Sequence, residues 1–186
     1  MITIESLWLA IVLSSVIVWI ASALIWMALP YHKTDFKGLP DEEAARRVLG
    51  SQSLAPGQYD IPHCTSMKDM QQPDGRRKFE QGPVGFITIL PNQLPPMPRN
   101  MVLTVVFYLV VSTLVAYVAS RTLAPGADYL SVFRITSIVA WLAYGFAVIP
   151  DAIWFGRPWS SVVKTLVDAL AYALLTAGVF GWLWPG

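Results

Sequence analysis

The sequence predicts an all-α membrane protein: a four-transmembrane-helix bundle with a small α+β cap formed by the loop between helices 1 and 2. Three observations carry this. Four apolar stretches of about twenty residues or more, Leu7–Leu29, Met101–Ser120, Leu130–Ile149 and Val162–Trp184, occupy roughly half of the 186 residues. At 1.5 Å rise per residue each can cross a hydrocarbon core of about 30 Å. The chain is 55% apolar and only 13% charged, against about 25% charged in soluble domains, and its mean hydropathy is +0.52. The charges are also segregated, because of 25 Asp, Glu, Lys and Arg residues the spans contain only Arg134, Lys164 and Asp168.

The first span, within residues 1–30, contains the small-x-small triplet Ala21-Ser22-Ala23 that a signal peptidase reads. It is nevertheless expected to be retained. Its flank, Met1–Ser6, has one acid and no Lys or Arg, and the apolar run exceeds a signal h-region of about 7–15 residues.

Residues 31–100 form the predicted cap. Acids at Asp41, Glu42 and Glu43, arginines at 46 and 47 and a following Gly50 predict a helix over 41–49. Residues 57–62 and 84–90 read as short strands. The polar stretch 68–81 between them, with Pro73-Asp74-Gly75, reads as a mobile turn-rich segment, and Pro95, Pro96 and Pro98 as a stiff lead into the second span. One helix and two strands bury too little surface to fold alone, so the cap is expected to rest on the bundle.

Residues 101–186 carry the remaining spans, 101–120, 130–149 and 162–184. Span two has Ser112, Ala116 and Ser120 at i, i+4, i+8. Span four has Ala169, Ala173 and Ala177 at the same spacing, then Gly178 and Gly181. Small residues let helices approach closely in lipid, where packing drives association. Packing within the bundle is the preferred reading, and a homo-oligomer interface the other. Ile149-Pro150-Asp151 is expected to end span three.

The bilayer side follows from the basic residues. Eleven of them, among them Lys33, Lys37, Arg99, Arg157 and Lys164, fall on one side, and only Arg121 and Arg134 on the other. Positive charge favours the cytoplasm. Both termini are therefore expected outside and loop 31–100 inside, as a multi-pass protein of the bacterial inner (cytoplasmic) membrane. Tryptophans at 8, 26, 154, 159, 182 and 184 mark the interfacial ends of spans.

Candidate chemistry is sparse. Asp168 lies about six residues into span four, where ionisable groups are costly and often functional. With Lys164 four residues before it, and His32, Asp151 and Arg157 expected near the same surface, it makes a possible polar site for protons, ions or an anionic substrate. Asp35 lies close enough to join it. The preferred reading is structural: Lys164 snorkels to the headgroups and pairs with Asp168. Arg134 is expected to snorkel or to pair with Asp128. His63, Cys64, Met67 and Met70 form a weak soft-metal candidate. One cysteine excludes an internal disulfide and a multi-cysteine zinc site. No nucleotide-binding, metalloprotease or hydrolase motif is present and no internal repeat is evident, so no cofactor and no catalytic residue is assigned.

The leading expectation is an accessory or assembly subunit, not an enzyme, whose partners are the lipid bilayer and another membrane protein or a second copy. The alternative is a small oligomeric transporter or channel with its polar site at the cytoplasmic end of helices 3 and 4. Net charge of +1 argues against nucleic acid.

Overall fold

The computed structural model describes residues 2–186 and is 69% helical, with a small two-stranded sheet. Four helical stretches are long and apolar enough to cross a membrane: Glu5–Ala28, Met97–Thr122, Tyr129–Phe155 and Trp159–Trp182. The chain divides into two compact units. One comprises the chain up to Asp35 with Pro96–Ala152 and Arg157–Gly186, and the other Phe36–Pro95 with Ile153–Gly156.

In chain order the helices are α1 (Trp8–Ala28), α2 (Glu42–Ser51), α3 (Met67–Gln71), α4 (Pro73–Gln81), α5 (Met97–Thr122), α6 (Tyr129–Gly145), α7 (Val148–Phe155) and α8 (Trp159–Trp182). In the first unit α1 packs on α5 and α8, and α6 packs on the same two helices, closing a ring of four neighbours. The interior of this ring is rich in small residues. Ser14, Ser15 and Val18 of α1, Ser112, Ala116 and Ala119 of α5, Thr136 and Ala140 of α6, and Ala169, Ala173 and Ala177 of α8 are all buried. The outer face of α1 carries Leu9, Val12, Val16, Ile20 and Leu24, all exposed and spaced three or four residues apart. Bulky apolar groups outside and small or hydroxylated ones inside invert the soluble pattern, as helices surrounded by lipid do.

Both small-residue stripes are thus consumed inside one chain. Gly145 shows how tightly: a Cβ built there would lie 2.8 Å from the Ala169 Cβ. Gly181 serves differently, since its missing side chain makes room for the Tyr129 ring, 2.6 Å from where a Cβ would sit. Trp141 Nε1 donates to the Leu166 carbonyl at 3.0 Å, tying α6 to α8.

Three boundaries depart from the expected ones, each at a proline. Met97 begins α5 with Pro98 in its first turn, where the missing N–H has no intrahelical partner to lose. The third span breaks after Gly145 and resumes at Val148, so Pro150 lies in the first turn of α7 and does not terminate a helix. Pro158 precedes α8, which starts at Trp159, three residues before the expected Val162.

In the second unit Asp41 caps α2 by accepting from the Ala44 amide at 2.9 Å. Strands β1 (Gly57–Ile61) and β2 (Gly85–Ile89) pair antiparallel, with Gly57 opposite Ile89 and Ile61 opposite Gly85. The segment expected to be mobile is helical instead. Ser66 caps α3, and Pro73 and Asp74 open α4, where Asp74 pairs with Lys78 at 3.0 Å and with Arg77 at 3.1 Å. Acid-first pairs three and four residues apart support a helix, and a proline at its first position is a helix start as readily as a turn. On α2, Arg46 meets Glu43, three residues before it, at 3.4 Å. That contact is exposed and adds little stability.

Candidate functional site

The site lies where the chain leaves α1. Leu29 is extended and Pro30 opens a tight 3₁₀ turn, Pro30–Thr34. This turn carries Tyr31, His32, Thr34 and Asp35 to Lys164 and Asp168 on α8, more than 125 residues away in sequence. Because α8 begins at Trp159, Asp168 stands about nine residues, or roughly 14 Å, from its start. Asp168 is 4% exposed and His32 6%.

His32 is held between two carboxylates. Its Nδ1 lies 2.7 Å from Asp35 Oδ2 and its Nε2 lies 2.7 Å from Asp168 Oδ2. Trp26 stacks flat on the imidazole, with ring centroids 3.9 Å apart and planes 5° from parallel, and Tyr31 covers it at 4.2 Å. The other oxygen of Asp168 accepts from the Tyr31 hydroxyl. Lys164 Nζ donates to Asp35 Oδ1 at 2.8 Å, Thr34 Oγ1 at 2.7 Å and the Tyr31 carbonyl at 2.5 Å. Those three acceptors match its three protons.

The expected Lys164–Asp168 pair is therefore not formed. Lys164 reaches Asp35 and His32 takes Asp168, because the 3₁₀ turn delivers an acid and an imidazole to positions that sequence spacing on α8 does not reveal. Of the expected polar site, His32, Lys164 and Asp168 come together. Asp151 and Arg157 instead pair with each other, with Nη1 to Oδ2 at 3.8 Å and the Arg157 amide donating to the Asp151 carbonyl. Tyr31, Thr34 and Trp26 are the additions. The adjacent Pro30-Tyr31-His32 was the sequence signal for a turn rich in hydrogen-bonding groups just outside a span, and Trp26 reads from sequence only as an interfacial residue.

No protein-family model matches this chain, nor does any curated protein or solved structure.

The proton count of the site follows from its distances. A neutral imidazole has one N–H and one lone pair, and a lone pair cannot face a carboxylate oxygen at 2.7 Å without a proton between them. The triad therefore holds one proton beyond a neutral histidine and two carboxylates. That proton sits on the imidazole, on Asp168 or on Asp35. With imidazolium and Lys164 set against two carboxylates, the site is electrically neutral, which suits its burial.

The hydrogen bonds from His32 and then Lys164 hold the Asp35 carboxyl below the usual carboxylate range. A value lower in the folded than in the unfolded chain stabilises the fold above the unfolded value of about 3.9 and is lost as pH falls through the folded value. Unfolding midpoints in detergent are expected to fall more steeply below about pH 4 for wild type than for Asp35→Asn. Parallel profiles would mean that Asp35 makes no such contribution.

The remaining candidates lie elsewhere. His63 Nδ1 bonds Asp60 at 2.7 Å on an exposed surface, Cys64 is a free thiol, and Met67 and Met70 lie on α3 with Met67 exposed. No group of three or more His, Cys, Asp or Glu that could hold a metal occurs among the described residues. Asp128 caps α6 through the Ser131 amide and hydroxyl. Arg134 adds a weaker electrostatic contribution to it.

Proposed function

We propose that this chain is a small transporter or channel component that binds and passes protons through Asp35, His32 and Asp168. The observation that carries this reading is the buried imidazole with a carboxylate oxygen 2.7 Å from each nitrogen. A proton on Asp35 shifts to Nδ1, making imidazolium, and the proton on Nε2 shifts to Asp168. One proton has then moved from the first carboxylate to the second with no heavy atom displaced. Tyr31 and Lys164 hold the two carboxylates in place, and Trp26 keeps the ring from turning.

The same reading places the four apolar helices across a bacterial inner membrane, with both termini outside and residues 31–100 and the Lys164 end of α8 in the cytoplasm. The eleven-to-two distribution of basic residues supports that orientation. Asp35 is then the cytoplasmic member of the triad and Asp168 the member within the membrane. An accessory subunit binding through its small-residue stripes is the weaker reading, because those stripes are buried against the chain's own helices.

Protein reconstituted in vesicles containing a trapped pH-sensitive dye tests the proposal. Under a potassium diffusion potential, wild type is expected to acidify or alkalinise the lumen measurably. Asp168→Asn and His32→Gln are expected to fall to the leak of protein-free vesicles. Wild type that leaks no faster than protein-free vesicles would sink the proposal.

A further inference from the structure

Polar side chains recur along one face of α8 on both sides of Asp168. Lys164, Asp168, Tyr172 and Thr176 recur every four residues on α8 and so share one face. Tyr172 is 7% exposed, and its hydroxyl is the one buried side-chain polar atom among the described residues with no hydrogen-bond partner. The Trp26 indole is close by but outside hydrogen-bonding geometry. Tyr172 meets Tyr108 and Tyr144 edge-on, with centroids 6.2 and 6.1 Å away. Tyr144 Oη reaches Thr176 Oγ1 at 3.4 Å. Ser112 lies beside Tyr144 and accepts from Ser14 and Ser15 at 3.1 and 3.2 Å.

One turn further along three of the helices the buried residues are apolar. Ala116 follows Ser112 on α5, Phe180 follows Thr176 on α8, and Ala10 and Ile11 lie one turn before Ser14 and Ser15 on α1. All four belong to one buried apolar cluster. Lys164, Asp168, Tyr172 and Thr176 on α8, with Tyr144 and the three serines beside them, followed by this apolar cluster, make a blind-ended track.

We propose that this track is hydrated: water joins Asp168 to the Tyr172 hydroxyl and continues past Tyr144 and Thr176, ending at the Ser14–Ser112–Ser15 cluster. A buried hydroxyl with no partner is unfavourable, whereas a water with two to four polar neighbours satisfies it. Water there also extends the proton site, since a proton added at one end of a hydrogen-bonded chain releases one at the other. The apolar layer beyond the serines closes the track in this structure, so the proton flux proposed above requires that layer to open. The track takes its role from the proton site proposed above, but its hydration is testable apart from it.

Tyr172→Phe removes one oxygen. If the track holds water, the substitution strips that water of a partner, and Tm is expected to fall by about 2–4 °C. In a dry core it deletes an unsatisfied group, and Tm rises. In a Cys64→Ser background, Thr176→Cys in the folded protein is expected to react with a small water-soluble thiosulfonate, and Ala116→Cys not to react. Ser112→Cys replaces Thr176→Cys if that variant does not fold. A raised Tm for Tyr172→Phe, or a cysteine in the track that reacts only after denaturation, overturns the proposal. Neither readout uses proton flux. A protein that passes both but carries no protons keeps the track and loses the proposed function, and the opposite outcome loses the track alone.

Discussion

Asp168→Ala is expected to destabilise the bundle by about 3–5 kcal/mol, the range found when one member of a buried charged pair is deleted. The truncation removes the acceptor of two buried donors at once, His32 Nε2 and the Tyr31 hydroxyl. It also leaves Asp35 as the one carboxylate facing both His32 and Lys164. Asp168→Asn should cost less, because its amide oxygen still accepts from one donor. Asp151→Ala serves as the control. Its pair with Arg157 is long and partly exposed, so it should cost no more than about 1 kcal/mol. Reversible unfolding in mixed micelles measures all three. Equal losses for Asp168→Ala and Asp151→Ala would show that the triad adds nothing to the fold.

Gly145→Val should be the most damaging change away from the site. The Cβ alone would lie 2.8 Å from the Ala169 Cβ and 3.2 Å from Leu166 Cδ2, and valine adds two further methyls. Helices α6 and α8 would have to separate, stretching the Trp141–Leu166 hydrogen bond and opening the most extensive helix pair of the bundle. Overpacking of this kind costs about 1–3 kcal/mol, and more where backbone must move. Ala169→Gly in the same chain removes the nearest clashing atom and should restore part of the loss. A double-mutant cycle reads that coupling directly. Strictly additive effects would rule out the close crossing as the cause.

These two residues differ in how far they could be read beforehand. Asp168 was conspicuous in sequence as an acid inside an apolar span, and Lys164 four residues before it offered an obvious partner. The partner is wrong because an α-helix brings i and i+4 near each other without making them bond. A stronger competitor came from another part of the chain, on a turn too short and too irregular for any periodic pattern. Gly145 carried no signal at all. It belongs to neither small-residue stripe, and its importance arises only where α6 crosses Ala169. Errors at Pro98 and Pro150 share one origin. Proline marks the first turn of a helix as often as its end, and the sequence alone does not distinguish the two. The helices at 67–71 and 73–81 were missed because they are short and mostly polar, with Met67, Met70 and Phe79 too few to show a periodic apolar face.

Hydropathy, length and charge placement were sufficient to establish four helices long and apolar enough to cross a membrane, and to single out Asp168 as an acid in a costly place with Lys164, His32, Asp151 and Arg157 as its candidate neighbours. Those are properties of short windows of chain, and they add up locally whatever the rest of the molecule does. Only the tertiary structure decided that His32 lies between Asp35 and Asp168, that Lys164 serves Asp35, and that Asp151 and Arg157 stand apart. Burial makes each polar group take a partner of matching geometry. The choice among partners depends on where the Pro30 turn sets the chain down against α8, and no local window contains that distance.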